Sequence, residues 1–269
     1  MTLHYERKRV LIWGKTYPEL STAYTETVCT AGVLEDGTPV RLYPVPLRYL
    51  DREGQYSLYD WIEAPMAKST SDTRPESFKV DATAIRVVGS VATDAHGWRE
   101  RANIVFRDPS WQFEGMEQLK AAQEARRLSF GIVVPGEIAG VQLRKKAPDE
   151  RAVYERKAKE LAARTDMFHP DYKDLEFRDH EIVLQWRCQK PCTTCRSKAH
   201  AMQVLDWGLT ELARKNDWDW EKAKAKLEDL VSPGSHDLRL FLGNTKAHQK
   251  NFLVVGLWYP KVREQASFL

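Results

Sequence analysis

Three of the chain's four cysteines, Cys188, Cys192 and Cys195, fall within eight residues, and His200 follows five positions later. No other feature limits the fold as tightly. Cys-x3-Cys-x2-Cys-x4-His offers three thiolates and one imidazole from a short loop, the tetrahedral donor set that Zn2+ takes in structural sites. Pro191 stiffens the turn between the first two ligands. Glu181–Arg187 reads as a strand leading into Cys188, and the stripe Met202, Leu205, Leu209 and Leu212 predicts a helix directly after His200. A metal bound there would contribute its binding energy to folding. The same cysteine spacing also serves [4Fe-4S] clusters, with Cys29 or His200 recruited as the fourth ligand, so this alternative stays open. Only 74 residues follow Cys195, too few for the large barrel that radical enzymes build after such a motif. Cys29, on a predicted strand between Val28 and Thr30, otherwise reads as a small buried hydrophobe.

Thiols clustered in this way suit a reducing compartment better than a disulfide scaffold. With 42% hydrophobic and 29% charged residues, the chain has the composition of a folded globular protein. The longest apolar runs, Phe130–Val134 and Phe252–Trp258, have strand length, so no membrane helix is expected. The opening residues Met1 to Arg9 lack the apolar core of a secretion signal, and a cytoplasmic location is the expectation.

Patterning predicts an α+β protein: a β-rich, barrel-like domain over residues 1–147, a charged helix and linker over 148–180, and a Cys/His metal-binding module over 181–269. In the first part, Lys8–Gly14, Thr25–Leu34, Pro39–Tyr43, Tyr59–Met66 and Thr83–Val91 read as strands. Asp36-Gly37 marks a hairpin, and Pro44 and Pro46 should stop the third strand. A helix is predicted from Glu114 to Leu128, then two strands around Pro135-Gly136. Asp149 to Arg164 reads as a solvated helix, and the acidic stretch Asp166–Asp179 as the linker. The module should run strand, Cys/His loop, two helices, hairpin, its second helix spanning about Trp218–Val231.

The net charge of +3 is too small to announce a nucleic-acid partner, yet its distribution is uneven. Trp186–Leu205 carries four bases and no acid, and Leu238–Arg263 carries five bases and no acid. If the two segments share a face, Arg187, Lys190, Arg196, Lys198, Arg239, Lys246 and Lys250 form a patch for the phosphates of DNA or RNA. Bound thiolates also attract bases, so part of this charge has a local explanation. Trp186, Trp207, Trp218, Trp220 and Trp258 are candidate stacking surfaces, although most sit at core positions.

The expectation is a nucleic-acid-binding protein with a structural zinc site. The alternative is an enzyme acting on nucleic acid, possibly with an iron–sulfur cluster. No phosphate loop, nucleophile elbow or zinc-protease motif occurs. Glu26, Asp36, Glu63, Asp72 and Glu76 could converge on a catalytic metal, and Thr73–Ser77 is a polar loop of ligand-binding type.

Overall fold

Val10, Leu11, Ile12 and Trp13 follow one another without a polar residue, so a strand built from them must be covered on both faces. The computed structural model, which describes residues 3–164 and 172–262, shows how. Strand β1 (Glu6–Lys15) points Val10 and Ile12 into a barrel and turns Leu11 and Trp13 outward against a second sheet.

The barrel adds β2 (Glu19–Ser21), β3 (Thr25–Leu34), β4 (Pro39–Val45), β5 (Asp60–Lys68), β6 (Ser77–Val80) and β7 (Arg86–Ser90). Five of these strands close in the order β1-β3-β4-β6-β5 and back to β1, while β2 and β7 pair on the outside with β3 and β5. All pairings in the ring are antiparallel except β4 with β6. Numbered along the chain, the ring runs 1-2-3-5-4, the connectivity of the five-stranded Greek-key barrels of OB type. Val28, Val40, Leu42, Ile62 and Phe78 fill its interior. Pro44 does not end β4 as its sequence suggested. The β3–β4 register slips between Val28 and Thr30, and this bulge accommodates Tyr43 and Pro44.

Helix α1 (Ala95–Val105) follows, capped by the Asp94 side chain on Gly97 N–H. The rest forms β8 (Gln112–Phe113), α2 (Met116–Arg126), β9 (Phe130–Val133), β10 (Pro135–Lys145), α3 (Pro148–Ala162), β11 (His180–Cys188), α4 (Thr193–Ser197), β12 (His200–Val204), α5 (Trp207–Arg214), α6 (Trp220–Leu230), β13 (Arg239–Asn244) and β14 (Phe252–Trp258). Its strands make one mixed sheet, ordered β10-β11-β12-β14-β13-β9-β8. One face of the sheet packs Leu184, Val204, Leu240 and Val254 against α2, α5 and α6. The other presents Phe130, Ile132, Phe241 and Val255 to the barrel.

The α+β architecture, the barrel and the Cys/His region agree with the sequence expectation. Several elements differ. His200 opens strand β12 rather than preceding a helix, because Met202 and Val204 belong to a sheet core and α5 starts only at Trp207. Helix α6 starts after Asp219, which caps Lys222 N–H, not after Asn216 or Asp217. Strand β6 and helix α1 are additions, and the strand expected over 83–91 is shorter, preceded by a 3-10 turn at Ala82–Ala84. Residues 112–145, grouped by sequence with the first domain, pair into the second sheet. Part of the expected linker lies outside the described residues. Among the described residues no helix is long and apolar enough to cross a membrane.

Trp13 holds the two layers together. Its ring stacks on Phe241 at 4.5 Å and meets Phe130 edge-on at 5.2 Å. Gly256 lies beside it, where an added Cβ would fall 3.4 Å from both Trp13 and Phe241. Trp13→Ala is expected to cost about 3–5 kcal/mol, read from denaturant unfolding, because the rigid neighbours on both layers cannot collapse into the cavity.

Candidate metal centre and interlayer cleft

The ligand loop is held at both ends by strand pairing. Cys188 is the last residue of β11 and His200 the first of β12, and these strands pair with Trp186 opposite His200. Between them Cys192 caps the short helix α4, its sulfur accepting from Cys195 N–H at 3.4 Å. The four side chains converge: their donor atoms all lie within 4.8 Å of one another, and every ligand residue is buried. His200 Nε2 stands 3.5 Å from the Cys188 sulfur and 3.3 Å from that of Cys192. This is a buried Cys3His cluster suited to a metal ion.

Its electrostatics fit the same role. Burial pushes the Cys188 thiol up to about 12 when no cation is near. Burial also opposes the Cys192 thiolate, but the N–H groups of Cys195 and Thr194 outweigh it and hold that thiol below its ordinary value. Burial and then Lys120 lower the His200 pKa, keeping the imidazole neutral as a metal ligand must be.

Helix α2 braces the loop from outside, a contact absent from any local motif. Met116 N–H donates to the Cys188 sulfur at 3.4 Å, bringing the helix N-terminus and its partial positive charge to a ligand. Gly115 permits this approach: an added Cβ would sit 3.1 Å from the same sulfur. Glu117 accepts from Thr193 N–H at 2.7 Å and from its hydroxyl at 2.6 Å, and Glu114 pairs with Lys190 at 2.8 Å. The Glu114-to-Leu128 helix was visible in sequence; its contact with the cysteines was not.

Cys29 stands apart from this group. It lies in β3 with its sulfur 3.2 Å from Arg41 Nη1, half-buried rather than buried as expected. Three of the predicted basic residues are engaged in ion pairs. Arg187 pairs with Glu137 and donates to Cys195 O, Lys190 faces Glu114, and Arg239 pairs with Asp237 while lying over Phe106. Arg196, Lys198 and Lys250 are exposed. Only Lys246 of the seven lines a cavity described below. The tryptophans are also engaged: Trp186 and Trp258 are core, and Trp218 stacks on Trp220 and donates to Glu176 at 2.5 Å. The five acids do not converge. Glu26 pairs with Arg48 at 2.6 Å, Asp72 with Arg74 at 2.5 Å, and Glu76 accepts from Ser129. Among the described residues the Cys/His group is the cluster found that could hold a metal ion.

A cleft of about 420 Å3 opens where the barrel meets the second sheet. The β3–β4 bulge shapes it, supplying Cys29, Tyr43 and Pro44. Arg41 lies deep, its Nη2 bonded to Ser129 and its Nε without a partner. Arg74, from the polar loop noted in sequence, ties Asp72 to Asn244 across the two layers. Tyr24 and Tyr43 line the cleft while each remaining 47% exposed. Lys79 and Lys246 also line it and form no ion pair among the described residues. These residues come from segments far apart in sequence, and only the polar loop at Thr73–Ser77 and the candidate Lys246 pointed here.

A family model described as Domain of unknown function (DUF8758) matches residues 6–107, and one described as Domain of unknown function (DUF8757) matches residues 112–269. The border between the two matches falls just before β8, where the second sheet begins. No curated protein matches the chain.

Two outcomes follow from this geometry. Cys192→Ala should lose bound metal in elemental analysis and lower the melting temperature, whereas Cys29→Ala should keep the full metal content. Burial works against the Asp72 carboxylate, but Arg74 and Ser77 prevail and bring its pKa from 3.8 down to about 2. A depressed carboxylate stabilises the fold above its unfolded pKa and is lost as pH falls through the folded one. Stability should therefore decline across that window in acid titration, and Asp72→Asn should flatten the decline.

Proposed function

The chain belongs to the family described as Domain of unknown function (DUF8757), and for this member we propose nucleic-acid binding in the interlayer cleft, with one structural Zn2+ in the Cys3His loop. The cleft itself carries the first part. It lies on the second and third strands of the barrel ring, β3 and β4, and on the two connections beside them, residues 16–24, which include β2, and the loop 69–76. In barrels of this connectivity the same strands and loops take up oligonucleotides or oligosaccharides, which is an argument from fold analogy. The side chains add a chemical argument. Exposed tyrosines offer stacking faces to bases, and Lys79, Lys246 and the buried Arg41 offer positive charge to a phosphate backbone. A groove of this kind favours a single strand, whose bases are free to stack.

The donor distances support zinc. Zn–S of about 2.3 Å and Zn–N of about 2.0 Å in a tetrahedron set sulfur and nitrogen about 3.5 Å apart. The observed separations of 3.3 and 3.5 Å match that spacing. A four-iron cluster is ligated at different corners and needs its cysteine sulfurs spread more widely. Zinc would hold β11, α4 and β12 in register and through α2 steady the sheet that forms one wall of the cleft.

Fluorescence anisotropy with labelled single-stranded DNA, single-stranded RNA and duplex DNA tests the binding. Tyr43→Ala should weaken single-strand affinity by about 1–3 kcal/mol. Lys246→Ala should flatten the slope of log affinity against log salt by about 0.7. Arg196→Ala and Lys198→Ala should leave both unchanged. No binding to any of the three probes at low salt, or an oligosaccharide binding in their place, would remove the proposal. Elemental analysis of the purified chain should return one zinc and no iron.

A further inference from the structure

A buried arginine with no carboxylate in ion-pair range among the described residues marks a second site, away from the metal loop and the cleft. Arg101, on α1, is only 2% exposed. Its guanidinium lies over the rings of Tyr59, at 3.8 Å, and Trp98, at 4.8 Å. One hydrogen bond holds it, Nη2 to Val91 O at 2.5 Å, while Nε has no partner. Guanidinium carries five N–H donors and cannot shed its charge, so a buried one without a carboxylate is costly. Asp94 and Glu100 are the acids nearest in charge, but Asp94 caps α1 and neither comes within ion-pair range of Arg101.

Arg101 lines a cavity of about 420 Å3 whose wall, among the described residues, contains no acid. Lys226, His236 and Lys261 supply its other basic groups, and Tyr59, Trp98 and Tyr259 its aromatic surface. Two more polar atoms of this wall are buried without partners, Tyr59 Oη and His236 Nδ1. Lys226 is offset by Asp229 at 3.2 Å, whereas Lys261 is exposed and makes no ion pair among the described residues. The unbalanced charge is therefore Arg101 plus Lys261. A phosphate monoester carries about −1.5 to −2 at neutral pH and matches it, while a lone carboxylate leaves one cation over. The cavity is also larger than a bare ion needs, and Leu58, Leu230 and Tyr259 provide an apolar side for an organic remainder.

The wall is composite. Tyr59, Trp98 and Arg101 belong to the part matched over 6–107, and Lys226, His236, Tyr259 and Lys261 to the part matched over 112–269. Neither part has the site alone. From these observations we propose that this cavity binds a small phosphate monoester with an apolar or aromatic remainder, Arg101 and Lys261 gripping the phosphate.

Isothermal titration of the full chain with a nucleoside 5′-monophosphate, the same nucleoside without phosphate, and inorganic phosphate tests this. The monophosphate should bind, and the bare nucleoside should not. Arg101→Met should weaken the monophosphate about tenfold or more, since a charge-assisted pair is lost from a buried position. Lys261→Ala should weaken it several-fold and, being an exposed change, should leave the melting temperature alone; it decides the matter if Arg101→Met fails to fold. Tyr43→Ala should have no effect, which separates this site from the cleft. Equal binding of nucleoside and monophosphate, no heat from any phosphate at millimolar concentration, or binding abolished by Tyr43→Ala and untouched by Lys261→Ala would overturn the proposal.

Discussion

The stacking of Trp13 on Phe241 is the contact on which the remaining architecture rests. It joins a barrel strand whose inner face is already buried to a sheet whose far face is already covered by helices. Neither layer can bury its second apolar face except against the other. Aromatic pairs at this separation contribute beyond their buried area, but the larger effect is positional. The cleft and the Arg101 cavity both draw their walls from the two layers, so both exist only while this interface is closed.

The metal loop has a different logic. Its four donors lie close together in sequence, and paired strands fix the two ends. A cation would remove the cost of keeping three sulfurs and an imidazole crowded in a buried space. Helix α2 supplies what the loop lacks. Its N-terminal N–H groups and Glu117 satisfy the sulfur of Cys188 and the backbone of Thr193, so the loop is anchored to an element seventy-odd residues earlier in the chain.

Charge followed pairing rather than composition. The segments around the cysteines and the last hairpin contain no acids of their own, yet Glu114 and Glu137 arrive from other elements to meet Lys190 and Arg187, and Asp237 just before the hairpin meets Arg239. Lys79 and Lys246 at the cleft and Arg101 and Lys261 at the second cavity make no ion pair among the described residues, and neither do the exposed Arg196, Lys198 and Lys250. An ion pair needs only a neighbour within a few ångströms, and neighbours are assigned by the fold, so local charge counts do not say which bases stay unpaired.

The strands β1, β3, β13 and β14, the helices α2, α3 and α6, and the Cys/His cluster were legible because each rests on local information. Uninterrupted apolar runs mean strands covered on both faces, a 3.6-residue stripe means a helix lying on a core, and four soft donors within thirteen residues fit one tetrahedral ion. Strand β12 was misread because Met202 and Leu205 satisfy a helical spacing that the pairing of His200 with Trp186 overrides. Sequence alone also could not place Tyr43, Arg41, Arg74 and Lys246 in one cleft, or Arg101, His236 and Lys261 around another. Local patterning determines which face of an element is apolar. Which elements meet across that face depends on contacts between residues far apart in the chain, and only tertiary packing decides those.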